Sequence, residues 1–283
     1  MSETLVSLWQ RSRDALIAAG VDSPVLDARL LLEAGAGVSR TDIVTDPRRE
    51  LTAAQVAAVE ALIARRAKRE PVSHITGRKA FWTLDLAVSA AVLTPRPETE
   101  FVVDAALKAL PPSRPARVLD LGVGSGAILL AVLAERDLAS GIGLDLSPDA
   151  LAVARGNAAA LKLDNRVEFH LGGWDAPIAE RFDLVLSNPP YIPTAEIDTL
   201  APEVAVHEPR LALDGGRDGL DAYRAITARL PALLKPGGVF AFEVGKGQAP
   251  AVEALAGAQG LSLDAAALDL AGIARVVSGR LPD

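Results

Sequence analysis

The chain of 283 residues has no cysteine, a single methionine and only two tyrosines. Without thiols it can form no disulfide, present no thiolate nucleophile and build no Cys-ligated zinc site. Histidine is nearly as scarce. His74, His170 and His207 lie far apart and share no metal-ligand spacing, so no metal site is expected. Aromatic residues make up 4% of the chain against 50% apolar residues overall, so the core must be built largely from Ala, Leu and Val. An excess of positive charge is also missing. The 29 basic residues are outnumbered by 36 acidic ones, and a net charge of −7 argues against a surface made to hold a polyanion. No apolar run approaches the roughly 20 residues needed to cross a bilayer. The start, Met1-Ser2-Glu3-Thr4-Leu5, has no basic segment followed by an apolar one. A serine hydrolase is excluded too, since no Gly-x-Ser-x-Gly elbow occurs. These absences predict a soluble cytoplasmic protein with no membrane contact and no direct nucleic-acid partner.

What is present changes period along the chain. Residues 1 to about 70 read as helices. Leu5, Leu8, Trp9, Ser12 and Leu16 recur at helical spacing, and Gly20 can close that helix. Ser23-Pro24 offers a cap with Pro at the first helical position, opening a helix to about Ala36. Thr52 and Gln55 make a capping box ahead of Val56, Val59, Leu62 and Ile63. From Ala80 the pattern alternates instead. Trp82, Leu84, Leu86 and Val88 predict a strand whose hairpin partner lies near Ala91 to Thr94. Thr94-Pro95-Arg96-Pro97 is a stiff connector that reads as an interdomain hinge.

Beyond the hinge, strands alternate with helices: Arg117–Leu121, Gly141–Asp145, Val167–Leu171, Leu184–Ser187 and Val239–Val244, then two more near Leu261–Leu268 and Ala274–Ser278. That order calls for a mostly parallel sheet covered by helices on both faces.

Two motifs carry chemistry. The first is Ser187-Asn188-Pro189-Pro190-Tyr191, directly after the apolar run Phe182 to Leu186. Ligands in an open α/β sheet bind at the carboxyl ends of strands. Two prolines there cannot continue the ladder and fix a rigid turn. Acceptors from the Asn188 side chain and the Pro189 carbonyl, with the Tyr191 ring beside them, form a cradle for a planar NH2 group. The second is Gly122-Val123-Gly124-Ser125-Gly126, between the strand ending Asp120-Leu121 and an apolar helix. Its glycines let the backbone turn sharply and approach a ligand at a helix start. Asp145 ends the next strand about 20 residues on, the spacing of a carboxylate that binds ribose hydroxyls. The pattern is G-x-G-x-G, not the dinucleotide spacing G-x-G-x-x-G, which favours S-adenosylmethionine over NAD.

With both motifs placed, the chain resembles the protein-(glutamine-N5) methyltransferases that modify peptide chain release factors, the PrmC or HemK family. The likeness covers nearly the whole length. It includes Leu93-Thr94-Pro95-Arg96-Pro97-Glu98-Thr99-Glu100, the glycine loop, Asn188 to Tyr191, Glu208 to Leu213 with Gly215-Gly216, and Leu234 to Gly238. It continues with Glu243-Val244-Gly245-Lys246-Gly247-Gln248, Asp269 to Gly272 and Arg275 to Val277. Asn-Pro-Pro-Tyr also occurs in methyltransferases of exocyclic base amines and of a ribosomal-protein glutamine, and the flanking segments single out the release-factor enzymes. One departure is His74, where the family carries tyrosine in Arg-x-x-Pro-x-x-Tyr.

The resemblance implies an α/β, Rossmann-like class I methyltransferase domain over residues 98–283. A helical substrate-recognition domain would precede it over 1–78, with a β-hairpin and hinge over 79–97. It implies S-adenosyl-L-methionine as cofactor, a release factor as protein partner, and a monomer. Gly122 to Gly126 would line the methionine portion, Asp145 would bind the ribose and Trp174 would lie along the adenine. Asn188, Pro189, Pro190 and Tyr191 would form the catalytic cradle, with Asn188 also near the cofactor.

Overall fold

The computed structural model describes residues 3–283. The chain divides into two compact units, one running up to Arg78 and including Ala201–His207, the other formed by Lys79–Leu200 and Glu208–Asp283.

The first unit is helical: α1 (Leu5–Ala18), α2 (Pro24–Ala36), α3 (Arg40–Thr45), α4 (Ala53–Ala67) and α5 (Val72–Thr76). The capping box forms at α4, where Gln55 N–H donates to Thr52 Oγ1 at 3.2 Å and Thr52 N–H to Gln55 Oε1 at 3.1 Å. Pro24 takes the first helical position of α2, but the Ser23 side chain makes no capping bond. The short α3 and α5 were not expected from periodicity, because six and five residues are too few to show a repeat. Leu5, Leu8, Leu16, Leu31, Leu32 and Val59 pack the core of this unit.

The second unit starts with a hairpin, β1 (Arg78–Phe81) and β2 (Leu84–Ala87). This corrects the expected register. Trp82 sits in the turn with φ +54°, and the partner strand precedes it rather than following at Ala91–Thr94. Two acids hold the tryptophan there. Its backbone N–H donates to Glu100 Oε1 at 2.8 Å and its indole N–H to Glu135 Oε1 at 2.9 Å. The stiff Thr94–Pro97 segment lies within this unit, not at its border with the first.

Then follow α6 (Glu100–Ala109), β3 (Ala116–Leu121), α7 (Ala127–Glu135), β4 (Ala139–Asp145), α8 (Pro148–Ala160), β5 (Val167–Leu171) and β6 (Phe182–Ser187). The chain next supplies α9 (Pro202–Ala205) to the helical unit. There Glu203 is gripped by Arg69 through Nε at 2.6 Å and Nη2 at 2.8 Å, and meets Arg66 Nη1 at 2.9 Å. Burial opposes its ionisation, but the two guanidinium groups outweigh that and pull its pKa down to about 2. Last come α10 (Asp221–Thr227), α11 (Leu230–Leu233), β7 (Leu234–Glu243), α12 (Ala249–Gly257), β8 (Ser262–Leu263), β9 (Ala267–Leu268) and β10 (Ala274–Arg280). The stretch expected as one strand near Leu261–Leu268 is thus split in two, each part pairing with β10.

The large sheet runs β5-β4-β3-β6-β7-β10-β8, with β9 also on β10. Its pairs are parallel from β5 to β7, and β10 is antiparallel to β7 and β8. Side chains alternate between two cores, as the pleat requires. Val118, Leu184 and Leu186 enter one core, with residues of α6, α7 and α8. Leu119, Val185 and Phe240 enter the other, with residues of α10, α11 and α12. The strand order reverses at β3, so the loops after β3 and β6 open a crevice at the sheet's carboxyl edge. Among the described residues no helix is long and apolar enough to cross a membrane.

Candidate active site

That crevice holds a cavity of about 530 Å3. Register explains its composition, since Leu121 at the end of β3 lies beside both Leu144 and Ser187. Three strands therefore deliver the glycine loop, Asp145 and Asn188 to one place.

The loop turns sharply on Gly122, Gly124 and Gly126, all with positive φ. Gly122 N–H and Val123 N–H both donate to the Leu144 carbonyl, at 2.8 and 2.9 Å, so the turn is sewn to β4. A Cβ on Gly122 would stand 3.1 Å from the Trp174 ring, and one on Gly126 would press into Leu130 at 2.8 Å. Asp145 braces the same loop. Its Oδ2 accepts from Gly124 N–H and its Oδ1 from Ser147 N–H, each at 2.9 Å. Asn157 of α8 is a further brace, donating through Nδ2 to the Ser125 carbonyl at 2.9 Å and to that of Ala87 at 3.0 Å.

Of the residues expected here, Gly122, Val123, Gly124, Ser125, Asp145, Trp174, Asn188 and Pro190 line the cavity. Gly126, Pro189 and Tyr191 do not. Gly126 N–H donates to the Val123 carbonyl, so this residue closes the loop ahead of α7. Pro189 is buried. Tyr191 packs against the second core, and its hydroxyl donates to Glu243 Oε1 at 3.4 Å. Burial, then the Glu243 charge, pushes the tyrosine pKa upward, so the phenol stays protonated. Gln248 Nε2 donates to the Tyr191 carbonyl at 2.9 Å, a further tie on this residue.

Sequence reasoning missed several residues that shape the site. Asn188 Nδ2 donates to Thr99 Oγ1 at 3.2 Å, and Thr99 itself borders the cavity. Glu208, buried, accepts from Arg96 Nη2 at 2.6 Å and from Thr94 N–H at 3.2 Å, tying two wall segments together. Burial raises its pKa despite those donors. Glu243 and Asp120 are buried acids at strand ends, and burial pushes each up to about 7. Both oxygens of Asp120 and Oε2 of Glu243 lack a hydrogen-bond partner. A polar signal was available for Glu243, a lone acid closing the run Val239-Phe240-Ala241-Phe242.

This donor set fits S-adenosylmethionine. The cavity has the size of a small-molecule site. Gly122 leaves room that a Cβ would take, and Asp145 offers a carboxylate to hydroxyls. Among the described residues no cluster of His, Cys, Asp or Glu suits a metal ion.

The fold and this cavity define an S-adenosylmethionine-dependent methyltransferase of the class I, Rossmann-like kind. Comparison with known proteins agrees. Residues 113–258 match the model of the methyltransferase domain and residues 7–77 that of the PrmC N-terminal domain. The solved methyltransferase from Pyrococcus furiosus shares the fold at TM-score 0.54 and 16% identity, covering 78% of this chain and 99% of its own. The ribosomal protein L11 methylase of Lactobacillus delbrueckii subsp. bulgaricus does so at TM-score 0.51 and 17% identity, covering 69% and 84%. Among curated relatives, the release factor glutamine methyltransferase of Caulobacter vibrioides is 57% identical across 99% of this chain and 97% of its own length. That of Rhodospirillum rubrum is 48% identical across 96% and 84%. The chain belongs to the release factor glutamine methyltransferase family.

Proposed function

We propose that the chain transfers a methyl group from S-adenosylmethionine to the side-chain amide nitrogen (N5) of glutamine in the Gly-Gly-Gln segment of peptide chain release factors. The supporting observation is that Asn188 and Pro190 border the same cavity as Gly122 to Ser125 and Asp145. Bound S-adenosylmethionine supplies an electrophilic methyl group on a sulfonium, so the protein's task is position more than acid or base strength.

A carboxamide nitrogen is a poor nucleophile because its lone pair is delocalised into the carbonyl. Asn188 commits its NH2 to Thr99, which leaves Oδ1 as an acceptor for a hydrogen of the substrate's NH2. That bond fixes the amide plane and sets partial negative charge beside a nitrogen that becomes positive. Pro189 and Pro190, with φ locked by their rings, keep Asn188 from drifting. No strong base is needed, since the proton can leave once the nitrogen is cationic. The two glycines of the target segment let its backbone enter a recess that bulkier residues would block. The helical unit holds the body of the release factor, and the enzyme works as a cytoplasmic monomer without direct nucleic-acid contact.

The test is incubation with labelled cofactor and either intact release factor, a short Gly-Gly-Gln peptide or adenine-containing DNA. Strong labelling of the intact factor, weak labelling of the peptide and none of the DNA is expected. Labelling of DNA alone would shift the assignment to a base N6-amine methyltransferase.

A further inference from the structure

The segment over residues 243–248 carries the family's pattern, yet none of it lines the cavity. Its last residue, Gln248, reaches the Asn-Pro-Pro-Tyr turn all the same. The Gln248 amide has partners in three segments. Its Oε1 accepts from Gly245 N–H at 3.0 Å, and its Nε2 donates to the Tyr191 carbonyl at 2.9 Å and the Gly219 carbonyl at 3.3 Å. An N–H only donates and a carbonyl only accepts, so these partners fix which way round the amide sits. Glycine clears the space around it. A Cβ on Gly219 would run into the Tyr191 carbonyl and stand 2.6 Å from Nε2, and one on Gly245 would stand 2.6 Å from Oε1. A Cβ on Gly215 would press on the Pro190 carbonyl and Tyr191 Cα, both at 2.8 Å.

The grip matters because the turn is stiff. Pro189 and Pro190 have φ locked by their rings. A residue ahead of a proline, as Asn188 and Pro189 both are, is held to extended backbone. From Asn188 to Tyr191 the chain therefore moves nearly as one rod. β6 fixes its near end, where Ser187 Oγ donates to the Leu121 carbonyl at 2.6 Å. Gln248 holds its far end. Just beyond, Ile192 N–H donates to the Leu213 carbonyl at 3.0 Å and its own carbonyl accepts from Gly215 N–H at 2.9 Å. A tilt at Tyr191 swings Asn188 with it, and Asn188 borders the cavity.

We propose that Gln248 is a positioning residue for methyl transfer: by holding the Tyr191 carbonyl it fixes the far end of the stiff turn, and with it the direction of the Asn188 amide. This rests on the reading of Asn188 as the acceptor for a carboxamide.

The test compares wild-type enzyme with Gln248→Met and Gln248→Glu on intact release factor. Measured are kcat, KM, cofactor Kd and Tm, from about pH 5 to about pH 8.5. Gln248→Met fills similar space without the hydrogen bonds. It is expected to lower kcat by about tenfold or more at every pH, as misplacement of a reacting group does, with smaller changes in KM and Kd. Gln248→Glu adds a titration. Its protonated carboxyl gives one hydrogen to the Tyr191 carbonyl and still accepts from Gly245, whereas the ionised form offers Tyr191 only acceptors. The two carbonyls facing it favour the protonated form. Its kcat relative to wild type at the same pH should therefore climb about threefold or more between about pH 8 and about pH 5, while the ratio for Gln248→Met stays flat. A packing role alone gives no such recovery. The Gln248→Glu profile decides the matter even if Gln248→Met does not fold. Wild-type kcat in Gln248→Met, a loss confined to KM or Kd, or a Gln248→Glu ratio that does not change with pH would overturn the proposal. Failure of the wild-type enzyme to methylate the release factor at all would refute the assigned reaction instead.

Discussion

Stability should fall as the pH rises from about 4 to about 7, and Asp120 is the main reason. Its side chain is 1% exposed at the end of β3, and neither carboxylate oxygen has a hydrogen-bond partner. Burial, aided by the Asp145 charge, pushes its pKa from 3.8 to about 7. Below about pH 4 the group is protonated in both folded and unfolded chains and has no effect. Between there and neutrality the unfolded chain releases the proton while the folded one keeps it, so the unfolded state binds fewer protons and stability drops. A pKa raised from 3.8 to about 7 corresponds to about 4 kcal/mol lost once the pH passes 7.

Asp120→Asn isolates this effect. The substitution removes the titration but leaves a buried amide, whose cost of about 1–3 kcal/mol does not vary with pH. Urea unfolding followed by circular dichroism, in steps from pH 4.5 to 8.5 without cofactor, gives both curves. The variant should be the less stable protein at pH 4.5 and gain on wild type by about 3 kcal/mol by pH 8.5. Every other titrating group is common to the two proteins and cancels in the difference. Parallel curves would mean that Asp120 ionises in the folded protein as easily as in water, and the burial argument would fail.

Other perturbations probe the cavity directly. Asn188→Ala should cost about 2–4 kcal/mol in the methyl-transfer barrier, read as a drop in kcat; a wild-type rate would remove Asn188 from the reaction. Asp145→Ala removes the acceptor for Gly124 and Ser147 N–H as well as the carboxylate offered to ribose, so calorimetry should show S-adenosylmethionine binding weakened by at least about 1.5–3 kcal/mol. An unchanged Kd would contradict that role. Gly122→Ala places a Cβ 3.1 Å from Trp174 at a φ of +75°, which should lower stability by about 1–3 kcal/mol and weaken cofactor binding. A variant with wild-type Tm and Kd would show that the turn tolerates a side chain.

The strongest regularities were legible before any coordinates. Alternation of apolar strands with helices gave the succession of strands and helices along the chain and a mostly parallel sheet, and the glycine loop and Asp145, read together as a ligand site, do meet at one cavity. The capping box at Thr52 formed because both its bonds are local. Errors arose where distant partners decide local structure. Trp82 fits a strand pattern, yet Glu100 and Glu135, 18 and 53 residues away, draw it into a turn. Tyr191 follows Asn188 in sequence, and its ties to Glu243 and Gln248, 52 and 57 residues away, were not visible from its neighbours. Thr99, Glu208 and Glu243 were visible as letters in segments shared with the family. Their roles depend on which strand ends lie side by side, and no periodicity reports that. Burial of Asp120 followed from its place in an apolar strand, whereas the absence of any partner for its oxygens did not.

Mass mapping of a release factor after incubation with the enzyme and isotopically labelled S-adenosylmethionine tests the assigned reaction most directly. The expected product carries one methyl group on the side-chain nitrogen of the glutamine in Gly-Gly-Gln, appears with wild-type enzyme, and is nearly lost with Asn188→Ala. Label on any other residue, or an unmodified factor in a reaction where the same enzyme methylates adenine, would contradict it.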